Sequence, residues 1–323
     1  MRTKENIIDL TNFFRYCGID CSGISIKEKT GMYPFNPDPE ANWIFYAFAG
    51  YLYLKEKKLI DLPKKVACVA VGSGAEAIGL KKIFPDLASI TITDIDSEVV
   101  FGAFTNVENA TPESIGNVIP LVGSLCDPLV KLGFKFDLIH GNVPNLVCSD
   151  ERDLSLGDDK GTFIKTGILT ESIPKEYLEW ALGTQYLFLK GGSSLLGKNG
   201  SIITMMGGRF RLSILEKLFS DCGLRLEPEF STGFKFQTQP EPDYEGYAKL
   251  EEEHGVSFDF FRYFDSKKLL IQEGIGNPTH DYSGQQIKDL LKDFRVSSSE
   301  ALELHKKGIV CGHTIHMFRG TKV

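Results

Sequence analysis

"KVACVAVGSGAEAIGLKKIF" (residues 65–84) passes from a short β-branched run to helical spacing, across a turn that holds Gly72 and Gly74. Branched side chains suit the pleated surface of a strand, whereas Ala, Glu, Leu and Lys suit a helix. Glycine lets the chain turn sharply between the two, and it lets a ligand approach backbone NH groups with no Cβ in the way. The alternation then repeats. "ASITITDID" (88–96) reads as a second strand and "SEVVFGAFTNVENA" (97–110) as a second helix, while "IPLVGS" (119–124) and "FDLIHGN" (136–142) read as two more strands with a short helix between them. "GSIITMMG" (200–207), "RLSILEKLFSDCG" (211–223) and "RLEPEFSTGFKFQ" (225–237) continue as strand, helix and strand material. Alternation of this kind implies an α/β fold: a doubly wound, mainly parallel sheet with helices on both faces.

Outside this region the signals differ. Residues 1–60 look mainly helical, with "DLTNFFRYCGI" (9–19) and "NWIFYAFAGYLYLKEKK" (42–58) on either side of a Pro/Asn-rich break. "PKEYLEWALGTQYLFLKGGSSLL" (174–196) reads as one long helix. The expected organisation is a helical N-terminal cap (1–60), a Rossmann-like core (61–240) and a C-terminal extension packed on the core (241–323).

The 323 residues carry a formal charge of −7, with 42 % hydrophobic and 24 % charged residues, an ordinary globular composition. The acidic balance argues against a nucleic-acid partner, since duplex binders usually present a basic face. Lys55, Lys57, Lys58, Lys64 and Lys65 read as solvated helix ends. The seven cysteines are scattered, with no C-x-x-C, as reduced thiols of a cytoplasmic protein would be. The start shows no signal-peptide pattern, and the apolar run 43–54 is too short to span a bilayer, so no membrane is expected.

Asp94 ends the second strand, twenty residues after Gly74. In doubly wound sheets a carboxylate there accepts hydrogen bonds from ribose hydroxyls, so the glycine turn and Asp94 together imply an adenosine cofactor. Gly72-x-Gly74-x-x-Ala77 also fits the dinucleotide fingerprint, which keeps a nicotinamide enzyme among the alternatives. Against it stands "FDLIHGNVPN" (136–145): hydride transfer has no evident use for an Asn-x-Pro turn at a strand end.

Taken together, residues 64–147 resemble the core of a class I S-adenosylmethionine-dependent methyltransferase. "VAVGSG" resembles its glycine-rich first motif, "TITDID" its ribose-binding strand end and "VGSLCDPL" the segment that flanks the adenine. "FDLIHGNVPN" resembles the Asn-Pro-Pro-Tyr-type motif of enzymes that methylate amide or amino nitrogen, and "LLGKNGSIITMMGG" resembles the turn and fifth strand that follow. The resemblance covers roughly half the chain. It implies that Gly72 and Gly74 cradle S-adenosylmethionine, Asp94 with Ile95 holds the ribose, and Ser124 and Leu125 flank the adenine. Asn142 also touches the cofactor. Its side-chain oxygen and the Val143 carbonyl orient an acceptor nitrogen, with Pro144 fixing the backbone.

The chain departs from that pattern at several places. Cys68 and Ala70 stand where an acid often helps hold the methionine portion, and Ser124, with Asp127 nearby, stands where an acid often contacts the adenine amine. Val143 replaces the first proline and Asn145 the last aromatic. The departures are compatible with a different use of the same architecture. One is the chemistry of bacterial azetidine-2-carboxylate synthases, in which the cofactor's own amine closes on its γ-carbon and methylthioadenosine leaves. Aminocarboxypropyl transfer is a third variant, and a non-catalytic cofactor-binding protein a fourth. Tyr177 is a candidate to face the sulfonium through its ring.

Other signals point to structure. His313 and His316 have odd spacing in a strand and so face opposite ways, and no metal is expected. His140 reads as a buried, hydrogen-bonded histidine, and "YEGYAKLEEEHG" (244–255) as a solvated acidic helix face. The aromatics Tyr33, Phe35, Trp43, Phe45, Tyr46 and Phe48 fit either a lid over the site or a core under the N-terminal helices. The polar loop 149–176 fits a segment beside a small-molecule acceptor.

Overall fold

The structure is a computed structural model that describes residues 6–29, 32–114, 116–148, 154, 161–168 and 172–323. Its frame is a sheet of which seven strands run in the order β5 (Val118–Val122), β4 (Ser89–Asp94), β3 (Lys65–Val69), β6 (Phe136–Gly141), β9 (Leu196–Gly207), β14 (Cys311–Lys322) and β11 (Ser231–Phe236). The pairs β5–β4, β4–β3, β3–β6 and β6–β9 are parallel. β14 runs antiparallel to both β9 and β11. This is the Rossmann-like sheet expected, with one reversed strand inserted near an edge. β3 and β4 are covered on both faces, which is why they read as continuous apolar runs rather than alternating ones.

The last strand changes the expected organisation. Residues 312–317 pair with β11 and residues 315–321 with β9, so the end of the chain lies inside the sheet. The segment expected as an extension (241–323) therefore contributes an interior strand. What lies outside the frame is the excursion between β11 and β14, which carries the helix Pro240–His254 and the short strands β12 (Phe260–Arg262) and β13 (Arg295–Val296).

The N-terminal region is less helical than expected. β1 (Asn6–Asp9) and β2 (Ser25–Glu28) form an antiparallel pair, with α1 (Thr11–Tyr16) between them. α2 (Trp43–Glu56) is capped by Asn42, whose side chain accepts from the Ile44 NH at 2.9 Å. It is apolar nearly all round because it is buried: Phe45, Tyr46, Phe48, Tyr51 and Leu54 sit in the core. α2 lies so close to α3 (Ala75–Ile83) that a Cβ on Gly79 would stand 2.0 Å from the Phe48 ring.

The long helix expected over 174–196 is two, Lys175–Glu179 and Gly183–Leu195, broken where Ala181 adopts a φ of +53°. Gly183 opens the second helix two residues later.

Candidate active site

The order of the sheet reverses at β3, which has β4 on one side and β6 on the other. A reversal leaves a crevice at the carboxyl ends of the strands, because the helices that follow diverge to opposite faces. A cavity of about 700 Å³ opens there, and Gly72, Asp94, Ile95, Ser124, Leu125, Asn142 and Val143 all line it. Volumes of this order hold a cofactor and a small acceptor together.

Each of these residues is fixed by the turn it stands on. Gly72 has a φ of +53° and faces the cavity, where a Cβ would meet nothing. Gly74 is not part of the lining. At φ +86° it caps α3, and a Cβ would stand 3.1 Å from the Ala103 carbonyl oxygen of α4 (Ser97–Ala110). Gly72 thus keeps the wall open, and Gly74 lets the loop pack on α4. Asn106 of α4 holds the loop from behind, donating to the Ser73 carbonyl at 2.9 Å.

Asp94 accepts from the Gly72 NH and the Asp96 NH, each at 3.3 Å. Burial raises its pKa above the usual carboxylate value, and the NH groups of Asp96, Gly72 and Ile95 pull the other way. Ile95 leaves half its surface exposed on the cavity wall. Leu125, at φ +44°, is tied to β4 through the Thr93 hydroxyl, which donates to its carbonyl at 3.1 Å.

Gly141 ends β6 so tightly against Phe188 that a Cβ would stand 2.6 Å from the ring. That contact fixes the direction in which Asn142 leaves the strand. Among the described residues the Asn142 side chain has no hydrogen-bond partner, although it lines the cavity. Asn145, in place of an aromatic, is anchored instead. It accepts from Gln185 at 3.4 Å and bonds to the Tyr247 hydroxyl.

The structure moves one expected residue away. Tyr177 lies outside the cavity lining, stacked on Tyr186 at 5.2 Å, with its hydroxyl donating to Asp221 at 2.6 Å. Its helix packs beside the helices Gly183–Leu195 and Leu212–Asp221, so the ring has no route to the cavity. Tyr177→Phe is therefore expected to lower stability by about 1 kcal/mol, read by urea denaturation, and to leave cofactor affinity and turnover unchanged.

Several lining residues were not singled out from the sequence. Glu76, two residues after Gly74, is buried and lines the cavity. Its Oε1 lies 3.3 Å from His140 Nε2 but makes no hydrogen bond among the described residues. His140 is buried, as its place in β6 suggested, and Tyr51 meets its Nδ1 at 2.8 Å. Cys68, buried beside them, has its thiol pKa pushed far up by burial. Residues 244–255 do present a solvated acidic face, with Glu245, Glu252 and Glu253 exposed, but the opposite face of the same helix is buried. Asp243, Tyr244 and Tyr247 are buried, and Asp243 and Tyr247 line the cavity with Arg209 and Lys235. Of the N-terminal aromatics, Tyr33, Phe35 and Trp43 line the cavity, while Phe45, Tyr46 and Phe48 belong to the core. Half of the polar loop 149–176 falls outside the described residues. Leu154 and residues 161–165 of it line the cavity. His313 and His316 take different partners, Trp43 at 5.6 Å and Glu229 at 2.5 Å.

No protein-family model matches the chain, and no curated protein matches it. Among solved structures it is similar to ribosomal protein L11 methylase from Lactobacillus delbrueckii subsp. bulgaricus, with 19 % identity, 62 % of this chain and 75 % of that chain covered, and a TM-score of 0.37. It is similar to precorrin-6y C5,15-methyltransferase from Geobacter metallireducens GS-15, with 11 % identity, 85 % and 88 % covered and a TM-score of 0.38. A third is the YcgJ protein from Bacillus subtilis, with 11 % identity, 84 % and 97 % covered and a TM-score of 0.42. No helix among the described residues is long and apolar enough to cross a membrane.

Proposed function

We propose that this chain is an S-adenosylmethionine-dependent enzyme that transfers methyl to a nitrogen of a small molecule. The observation that carries the reading is Asn142. It is a side-chain amide without a hydrogen-bond partner among the described residues, held at the end of β6 and facing the same cavity as Gly72 and Asp94. A partly buried amide is normally satisfied by the protein, so one left free at a strand end is available to a ligand.

The residues present fit the cofactor. Asp94 suits the ribose hydroxyls, and Ile95 and Leu125 offer apolar faces to the adenine. Where the resemblance leads one to expect an acid at Cys68 or Ala70, the chain offers Glu76 from α3. Its buried Oε1 without a hydrogen bond suits the amino group of the methionine portion. Bound there, S-adenosylmethionine supplies a methyl group activated by its sulfonium.

The protein's part is positioning. The Asn142 oxygen and the Val143 carbonyl accept from the acceptor's NH2, so that the nitrogen lone pair stays free and points along one line. Pro144 limits the backbone on the far side of Val143. Holding the reactants in line is worth several orders of magnitude in rate. The acidic charge favours a small molecule over a nucleic acid.

The test is mass spectrometry of purified protein with S-adenosylmethionine, alone and with a panel of small amines. S-adenosylhomocysteine together with a methylated amine is the expected result. Methylthioadenosine released from the cofactor alone would replace methyl transfer by cyclisation. A rise in melting temperature with NAD but not with S-adenosylmethionine would replace the cofactor.

A further inference from the structure

Two buried cations share one carboxylate on the wall contributed by β9, β11 and the excursion. Lys235 of β11 is 1 % exposed and Arg209, just after β9, 3 %, and both line the cavity. Arg209 Nη2 donates to Gln237 at 2.7 Å and lies 3.3 Å from Asp243 Oδ2. Its Nε has no partner among the described residues. Lys235 Nζ donates to the Phe236 carbonyl at 3.0 Å and stands 5.3 Å over the Trp43 ring. No carboxylate among the described residues pairs with it.

The groups that face this lysine come from four elements. They are Arg209 after β9, Asp243 from the helix Pro240–His254, His313 from β14 and Trp43 from α2, while Tyr247 of that helix faces Arg209. Burial, with the two cations beside it, holds the His313 pKa well below its usual value, so that ring is neutral. Burial likewise raises the Tyr247 hydroxyl pKa and keeps it protonated. With Lys235 protonated, what remains is two cations against one carboxylate, a surplus of one positive charge. Burying an unpaired charge is costly to a fold. Burial, then Arg209, lower the Lys235 pKa to about 7, with Asp243 opposing. Stability alone would favour an apolar residue between Phe234 and Phe236.

The cation pair is also wired to the Asn142 turn. Arg209 Nη1 lies 3.5 Å from the Tyr247 hydroxyl, and Tyr247 bonds to Asn145. We propose that the acceptor is a small amine bearing a carboxylate, which Lys235 and Arg209 bind while its nitrogen lies at Asn142. The nitrogen's place rests on the methyl-transfer reading, whereas the carboxylate's place does not. A single carboxylate neutralises the surplus charge.

The probe is acetate, titrated at constant ionic strength against chloride, with Trp43 fluorescence as the readout. Trp180→Phe removes the other tryptophan. The expected result is a saturable change in emission, with affinity roughly tenfold or more weaker at about pH 8.5 than at about pH 6.5, because the anion needs protonated Lys235. Lys235→Met is expected to abolish the change, to melt at or above the wild-type temperature, and to bind S-adenosylmethionine within about threefold of wild type. No saturable change, or one that survives in Lys235→Met, would overturn the site. Tighter binding of inorganic phosphate than of acetate would overturn the carboxylate. Loss of S-adenosylmethionine affinity in Lys235→Met would assign the cation to the cofactor and overturn the acceptor's claim to it. If methyl transfer itself is wrong, the acetate titration still succeeds while no methylated product forms, so the two failures are distinct.

Discussion

Asn142→Ala is expected to reduce turnover about 100- to 1,000-fold while S-adenosylmethionine binds within about threefold of wild type. The side chain makes no hydrogen bond to the protein among the described residues, so its removal leaves no buried partner unsatisfied. Gly141 packs on Phe188 and Asn145 is anchored through Gln185 and Tyr247, so the turn keeps its shape without Asn142. The loss should therefore fall on kcat rather than on folding or cofactor affinity. Single-turnover kinetics alongside a calorimetric titration separate the two. An Asn142→Ala variant with wild-type turnover would remove the proposed role. Asn142→Asp is informative too, because it keeps an acceptor oxygen but adds a charge beside the nitrogen.

Asp94→Ala is expected to weaken S-adenosylmethionine binding about 100-fold, since each charge-assisted bond to a ribose hydroxyl is worth about 1.5–3 kcal/mol. Part of that loss comes through the loop, because Asp94 also accepts from the Gly72 and Asp96 NH groups. Asp94→Asn keeps one oxygen and should fall between wild type and alanine. The pH dependence has a definite sign. Burial raises the Asp94 pKa, and only the carboxylate offers both oxygens to the hydroxyls. Affinity should therefore fall as pH drops through that raised pKa, and Asp94→Ala should lose this dependence. Calorimetric titrations of both proteins across the acid range measure it.

What the sequence showed plainly was local. The glycine turn, Asp94 and the Asn-x-Pro turn each sit within a few residues of a strand end, and a parallel sheet brings strand ends together whatever the loops do. Lys235, Arg209 and Tyr247 were not legible as a group, because 38 residues of sequence separate Arg209 from Tyr247 and only the return of β14 closes the wall. One trace existed: a lysine between two phenylalanines in "STGFKFQ" breaks the apolar pattern of a buried strand. Glu76 resembled an acid placed in the first turn to suit the helix dipole, which concealed its position on the cavity wall. Tyr177 misled for the opposite reason. An aromatic at helical spacing carries no mark of which neighbour it meets, and here Tyr186 and Asp221 take it.

Organisation failed where long-range pairing decides it. "HTIHMF" reads as a terminal strand, but nothing in those residues says that it inserts between β9 and β11. The chain must leave the sheet after β11 and return, and that excursion supplies the buried Asp243 and Tyr247. The helix that carries the solvated acidic face thus turns its other side, with Asp243 and Tyr247, to the site.

The most direct test is an experimental structure of the protein with S-adenosylhomocysteine. The ribose hydroxyls should lie within hydrogen-bonding distance of the Asp94 carboxylate, the adenine between Ile95 and Leu125, and the sulfur towards Asn142. A ligand seated elsewhere, or a cavity that stays empty at saturating ligand, would contradict the account.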